Sequence, residues 1–260
     1  MAVVFPIRVG IAGGAGEMGA TVAHLVGERQ NKLTLAASFG RGETVARDQA
    51  LADCDVIIDF STAAASSALA LRAAAAGHPA LVIGSTGFSA AQDDELNRAA
   101  LRLAVVKSAN FSLGANMLAG LVEETARRLG RSEWDIEITE AHHRRKKDAP
   151  SGTALLLGKA AARGRGVPLA QLRGRQREGE NRSRREGEIG FCSLRGGGIV
   201  GEHAVVFAGE DEILTLSHSA RNRRLFARGA LEAALWIVGR PPGLYSMADV
   251  LGFRTSPSKD

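Results

Sequence analysis

The chain has 260 residues, 45% apolar and 23% charged, enough to bury a sizeable core in one or two soluble globular domains. A formal net charge of +5 suits an anionic substrate or cofactor, and the arginines are spread along the chain rather than gathered into a nucleic-acid stripe. Cys54 and Cys192 lack close cysteine partners, no apolar run approaches the roughly 18 residues of a membrane span, and the N-terminus has no leader pattern. No disulfide framework, metal site, membrane or nucleic-acid partner is therefore expected, and a reduced, cytoplasmic enzyme is.

In chain order, Arg8 to Gly13 reads as a short buried strand that runs into Gly13, Gly14, Ala15, Gly16, Glu17, Met18 and Gly19, then a helical pattern to about Arg29. The glycines match G-x-G-x-x-G between a strand and a helix, the context of a dinucleotide fingerprint. Absent side chains let the backbone approach a pyrophosphate, and the helix N-terminus faces its charge. Leu33–Phe39 reads as the second strand. An NAD-preferring site places an acid near its end; here the chain runs Ser38, Phe39, Gly40, Arg41, with no acid until Glu43. Arg41 is positioned to meet a 2′-phosphate, with an ordinary loop arginine as the alternative.

Strands at Val56–Ser61, Ala80–Gly84 and Leu103–Lys107 alternate with helices at Ala63–Ala76 and Ser89–Ala100, the second capped by Ser89. Such alternation predicts a doubly wound, Rossmann-like parallel sheet with ligands at the carboxyl ends of its strands. The loops there carry Gly84, Ser85 and Thr86, and Ser108, Ala109, Asn110 and Phe111, which read as nicotinamide and ribose contacts. Simple turns built on Gly84 and Gly87 are the alternative for the first loop.

The character changes after Asn110. A helix over Gly114–Leu129 leads to a half-buried strand at Trp134–Thr139, then to Glu140, Ala141, His142, His143, Arg144, Arg145, Lys146, Lys147, Asp148 and the turn Pro150, Ser151, Gly152, Thr153 before a helix to about Arg163. Imidazoles, ammonium groups and a helix N-terminus able to hold an anion fall within fourteen residues. A solvated basic loop is the bland alternative. The strand end before it argues against that, as does the placing here of two of only six lysines, whose protons, unlike those of arginine, move at accessible pH. Residues 164–185 read as a long Arg- and Gly-rich loop. Strands resume at Glu188–Leu194, Ile199–Phe207 and Glu212–His218, closely spaced as in an antiparallel or mixed sheet, with His203 and His218 read as structural. A helix over Leu225–Val238 ends before Pro241 and Pro242. The fold class is thus α/β: residues 1–112 as a dinucleotide domain completed by 224–260, and residues 113–223 as an α+β domain with a mixed sheet.

The block from Glu140 to Ala154 closely resembles the signature of the 4-hydroxy-tetrahydrodipicolinate (dihydrodipicolinate) reductase family. Gly13–Gly19, Val82–Phe88, Ser108–Gly114 and Val200–His203 resemble that family in the same order. The segment 40–55 is shorter than is usual there, which bears on adenosine contacts rather than chemistry. The resemblance implies NADPH- or NADH-dependent reduction of a cyclic dicarboxylate, with loss of water, in lysine and diaminopimelate biosynthesis. It implies His142 as acid/base residue, Lys146 as proton donor, and His143, Ser151, Gly152, Thr153 and Arg223 at the substrate. Crowding by Arg144, Arg145 and Lys147 is expected to make Lys146 a better acid, with Asp148 orienting the turn. A homotetramer contacting through the mixed sheet, and domain closure on hinges near 110–114 and 222–225, are also implied. Two other readings stay open: a related amino-acid-pathway dehydrogenase, which has no need of the His-His-x-x-Lys block, and a dinucleotide-sensing, nucleic-acid-binding regulator.

Overall fold

The computed structural model describes residues 6–174 and 183–253. Its first unit comprises Met1–Leu113 with Arg224–Asp260, its second Gly114–Arg223. The first begins with β1 (Ile7–Ala12), α1 (Glu17–Gly27), β2 (Leu33–Phe39), α2 (Thr44–Asp53), β3 (Val56–Asp59), α3 (Ala63–Ala76), β4 (Ala80–Ile83), α4 (Ala90–Ala100) and β5 (Ala104–Lys107). β3, β4 and β5 are near-continuous buried runs, as expected of parallel strands covered on both faces. The helix ends follow local chemistry. Thr62 caps α3 by accepting from the Ala65 N–H at 3.3 Å, and Gly77 ends it at φ 76°. Ser89 and Gln92 form a reciprocal capping box at the start of α4.

The second unit holds α5 (Leu113–Arg128, whose first residue belongs to the first unit), β6 (Asp135–His142), α6 (Gly152–Gly164), α7 (Leu169–Leu172), β7 (Ile189–Arg195), β8 (Gly201–Ala208) and β9 (Ile213–Ala220). The sheet order is β7-β6-β8-β9, with β6 and β7 parallel and the other pairs antiparallel. Leu118 and Val122 of α5 and Leu157 and Ala161 of α6 pack against Ile136, Ile138, Val205 and Phe207. Within the stretch read as a long loop, α7 buries Leu172 and Arg173 bridges to Ile189; residues 175–182 of that stretch lie outside the described residues.

The chain returns to the first unit through α8 (Arg224–Ile237), β10 (Gly243–Tyr245) and α9 (Met247–Val250), the last two beyond the predicted break at Pro241 and Pro242. The parallel sheet reads β10-β5-β4-β3-β1-β2. The connection leaving β1 runs to β2 on one side and the connection leaving β3 runs to β4 on the other, so the topological switch lies between β1 and β3. Residues 40–55 have room for α2 but add no strand outside β2, which is therefore an edge and is mostly exposed.

Candidate active site

The glycine loop lies where β1 ends. Gly13 adopts φ 80°, and its N–H and that of Gly14 both donate to the Phe39 carbonyl of β2, at 2.9 and 3.2 Å. A Cβ on Gly14 would overlap Ser38 Oγ, and one on Gly19 would overlap the Gly13 carbonyl. Gly16 stands at the N-cap of α1 and offers no side-chain cap, so the first N–H groups of the helix meet no side-chain oxygen of their own N-cap. Ala15, Gly16 and Glu17 are exposed, while Met18 leans on the core. A loop that rejects side chains and ends on an uncapped helix N-terminus fits a dinucleotide pyrophosphate.

The neighbouring loops depart in part from expectation. The Phe111 side chain is a core residue, 2% exposed and edge-to-face with Phe60 at 5.9 Å, so its backbone is the part that faces the loop. Ser85 is buried, with its hydroxyl 2.6 Å from that of Ser66. Ser108 Oγ donates to the Asn110 carbonyl at 2.7 Å, and Asn110 Oδ1 accepts from the Ser112 N–H at 2.8 Å. Ser85 thus ties its loop to α3, and Ser108 and Asn110 close their own, while Thr86 and Ala109 are exposed. Gly84 is required because a Cβ there would overlap the Phe60 ring. Sequence reading passed over Asp59, at the carboxyl end of β3 and fully buried. Burial pushes its carboxyl up, against the pull of the Ser61 N–H and hydroxyl on Oδ1 at 2.7 and 2.5 Å. A polar residue closing an apolar buried strand is the signal that marks it.

Arg41 is exposed beyond β2. The acid counted as distant is not: a turn with Gly42 at φ 83° folds the chain back, and the Gly40 N–H donates to Glu43 Oε2 at 2.6 Å. A carboxylate and a guanidinium therefore both stand at the end of β2.

In the second unit the apolar alternation of β6 continues past the predicted strand end. Ile136, Ile138, Glu140 and His142 share one buried face, opposite Phe207, Val205 and His203 of β8. The core row simply changes from hydrocarbon to titratable groups. Glu140 is its hub. Oε2 lies 2.6 Å from His142 Nδ1 and accepts from Arg195 Nη1 at 2.8 Å; Oε1 accepts from Arg195 Nη2 at 2.7 Å and from the Ser151 N–H at 3.1 Å. Arg195 is brought there by β7, whose register sets it beside His142, and it also donates to the Asp148 carbonyl at 2.6 Å. Burial works against the Glu140 charge, but the Arg195 fork, Ser193, His142 and the Ser151 N–H outweigh it and hold the carboxyl down to about 2.

His203 and His218, read as structural, extend this row: His203 opposes Glu140 across β8 and His218 across β9. The His203 ring stands 5.0 Å from that of His142, and its Nε2 is 3.2 Å from Ser151 Oγ. Burial, then the charges of His142, His218 and Lys146, lower its pKa to about 4, so it is neutral at physiological pH. Burial also lowers that of His218.

After His142 the chain turns tightly, with the Lys146 N–H donating to the His143 carbonyl at 3.0 Å. Lys146 Nζ pairs with Asp148 Oδ1 at 2.9 Å, while Arg144, Arg145 and Lys147 point to solvent. The expected crowding by like charges is thus corrected: an opposite charge is the nearest neighbour. That pairing, the first cause, holds the Asp148 carboxyl below the usual range. Ser151 departs as well. It is 1% exposed, its N–H is taken by Glu140, and its hydroxyl caps α6 at the Ala154 N–H, 3.2 Å away. It builds the terminus of α6. Gly152 is exposed and Thr153 half-buried at that terminus, His143 is half-buried, and Arg223 is exposed between β9 and α8. In this unit sequence reading did not name Arg195 and named Glu140 without giving it a role.

Comparison with known proteins places these observations. Residues 7–111 match the family description "Dihydrodipicolinate reductase, N-terminus" and residues 114–251 match "Dihydrodipicolinate reductase, C-terminus". The chain is 56% identical over 254 residues to a 4-hydroxy-tetrahydrodipicolinate reductase of Caulobacter vibrioides, covering 96% of this chain and 98% of the relative. It is 47% identical to one of Parvibaculum lavamentivorans, with 95% and 98% covered. Among solved structures it resembles a dipicolinate-bound dihydrodipicolinate reductase from Paenisporosarcina sp. TG-14, with a TM-score of 0.74 at 25% identity, covering 94% of this chain and 98% of that one. With both halves matched and such identity sustained from end to end, the chain belongs to the dihydrodipicolinate reductase family.

Proposed function

We propose that the chain reduces 4-hydroxy-tetrahydrodipicolinate, a cyclic dicarboxylate, to tetrahydrodipicolinate with loss of water, using NADPH or NADH. The observation that carries the reading is the joining, in one buried hydrogen-bond network, of a proton-handling ring, His142, to the N-terminus of α6. A reduced nicotinamide supplies the hydride when bound. The chain's part is to seat the pyrophosphate against the Gly13–Met18 loop, on the N–H groups at the start of α1 rather than those of Gly13, Gly14 and Gly16, which donate within the loop and to β2, and to shape the flanking loops with Gly84–Thr86 and Ser108–Phe111. Hydride addition to a conjugated imine leaves a centre that must take a proton. Lys146 is the donor, and His142 exchanges protons at the same site. One substrate carboxylate rests on the N–H groups of Gly152 and Thr153, where the dipole of α6 favours an anion, and His143 and Arg223 add positive or hydrogen-bonding contacts.

Arg41 pairs with a 2′-phosphate and Glu43 with a ribose hydroxyl, so both cofactors serve. The same reading makes the protein a cytoplasmic homotetramer with the four-stranded sheet as its contact face; Leu194, Ile213 and Leu214 on β7 and β9 are 55%, 69% and 40% exposed and supply apolar surface for it. No described helix is long and apolar enough to cross a membrane. The test is a coupled assay with dihydrodipicolinate synthase, following loss of reduced-nicotinamide absorbance. Loss that depends on both the coupling enzyme and this chain is expected; none with either cofactor would overturn the proposal.

A further inference from the structure

We infer that Glu140 is a positioning residue that fixes the tautomer of His142, presenting Nε2 as its proton-exchanging atom, while the same carboxylate anchors the residue that starts α6. The inference rests on the reading of His142 given above.

Glu140 is ionised and can only accept. Five donors converge on its two oxygens: two from the Arg195 fork, one from the Ser151 backbone, one from the Ser193 hydroxyl and one from His142 Nδ1. The guanidinium and backbone N–H groups are donors in every protonation state, and a hydroxyl facing a carboxylate can only donate; the imidazole alone has a choice of tautomer, and a 2.6 Å contact to a carboxylate requires the proton on Nδ1. In the neutral ring Nε2 then carries the lone pair. It has no hydrogen-bond partner among the described residues, and it lies beside Gly201, where a Cβ would stand only 3.1 Å from it. A glycine at that place keeps the reacting edge of the ring clear. His203, at 5.0 Å between ring centroids, is neutral and walls the ring on another side without offering it a competing carboxylate.

The conservative variant Glu140→Gln separates orientation from mere filling of space. An amide has one oxygen and one NH2. Set with its oxygen at the Oε1 position it satisfies Ser151 and Arg195 Nη2, which cannot change. Its NH2 then faces Arg195 Nη1 and His142 Nδ1, of which only the imidazole can become an acceptor. The ring must therefore switch to the Nε2–H tautomer, removing the lone pair from the reacting edge. Because the Ser151 anchor survives, the start of α6 stays in place.

The experiment is long-range proton–nitrogen correlation NMR of the full-length protein labelled with nitrogen-15 histidine, at alkaline pH, with His142 assigned by loss of its signals in His142→Gln. Wild type is expected to show Nδ1–H with unprotonated Nε2, and Glu140→Gln the reverse. In the coupled assay kcat should fall about 10²-fold or more, the scale on which a positioned acid or base acts, with substrate KM and cofactor binding unchanged. Wild type with Nε2–H overturns the inference even if the variant does not fold, as does a folded Glu140→Gln protein with wild-type kcat or an unchanged tautomer. Failure of wild type in the coupled assay would instead refute the substrate, and leaves the tautomer measurement standing as a separate result.

Discussion

Acid should loosen this protein through His203. Its folded-state pKa is depressed from 6.5 to about 4, chiefly by burial. Between those values the unfolded chain binds a proton that the folded chain refuses, so stability falls as pH drops through that window and is retained above it. A depression of that size corresponds to about 3 kcal/mol, a large share of the 5–15 kcal/mol that folded domains possess. His218 is depressed in the same sense and adds to the loss. Glu140 acts lower: its carboxyl is held at about 2 against an ordinary 4.5, so its contribution is lost only as pH falls below 4.5. The perturbation is His203→Gln, whose amide does not titrate but can still reach Ser151 Oγ. The assay is the urea midpoint by circular dichroism, at fixed protein concentration, in steps from pH 7 to 4. Wild type should lose about 3 kcal/mol more than the variant across that range. Parallel losses in the two proteins would show that His203 does not carry the acid sensitivity and would refute the reasoning.

Three further outcomes concern the proposed reaction. Lys146→Ala and His142→Ala should each lower kcat by about 10²–10⁴-fold; near-normal turnover in a folded Lys146→Ala protein would remove Lys146 from its role. Thr153→Val should raise the substrate KM more than it lowers kcat, since ground-state binding at the α6 terminus is what it weakens, and pyridine-2,6-dicarboxylate should compete with substrate; an unchanged KM, or competition with cofactor alone, would count against that site. For the cofactor, Arg41→Ala should shift kcat/KM toward NADH and Glu43→Gln toward NADPH. Each shift should be modest, because an exposed pair contributes about 0–1 kcal/mol; ratios unchanged in both variants would make the two ordinary loop residues.

Where local chemistry decides the structure, the sequence was readable. α3 has the predicted bounds because a threonine cap and a glycine in the left-handed region end it, and β2 has them because its apolar start and the glycine turn after it are explicit. Where distant partners decide, it was not. α2 buries only Ala50 and carries little periodicity, so its helix is set by packing rather than pattern. β10 is three residues long and exists because the edge of β5 is available to pair with it. Glu43 is near the end of β2 only because a positive-φ glycine turns it back. The most instructive miss is β6. The appearance of Glu140 and His142 looked like a strand giving way to a polar loop, yet the period of two runs on unbroken from Ile136. The same periodicity also relates His203 to Val205 and Phe207. Arg195, 55 residues away, could not be assigned without the parallel pairing of β6 and β7.

That pairing also separates the two proposed proton-handling groups by how firmly each is held. A buried carboxylate costs several kcal/mol to desolvate, and removing one partner from such a network typically costs about 3–5 kcal/mol. Glu140, Arg195 and His142 therefore stand or fall together, and the ring has little freedom to wander. Lys146 is held otherwise. Its partner Asp148 is 59% exposed at the side chain, and a pair so placed contributes about 0–1 kcal/mol. The ammonium can leave Asp148 for a substrate at small cost, and its long stem gives it the reach to do so. The proposed site thus combines a ring held by a buried carboxylate with an ammonium held by an exposed one, and the difference follows from which of the two carboxylates, Glu140 or Asp148, the fold has taken out of water.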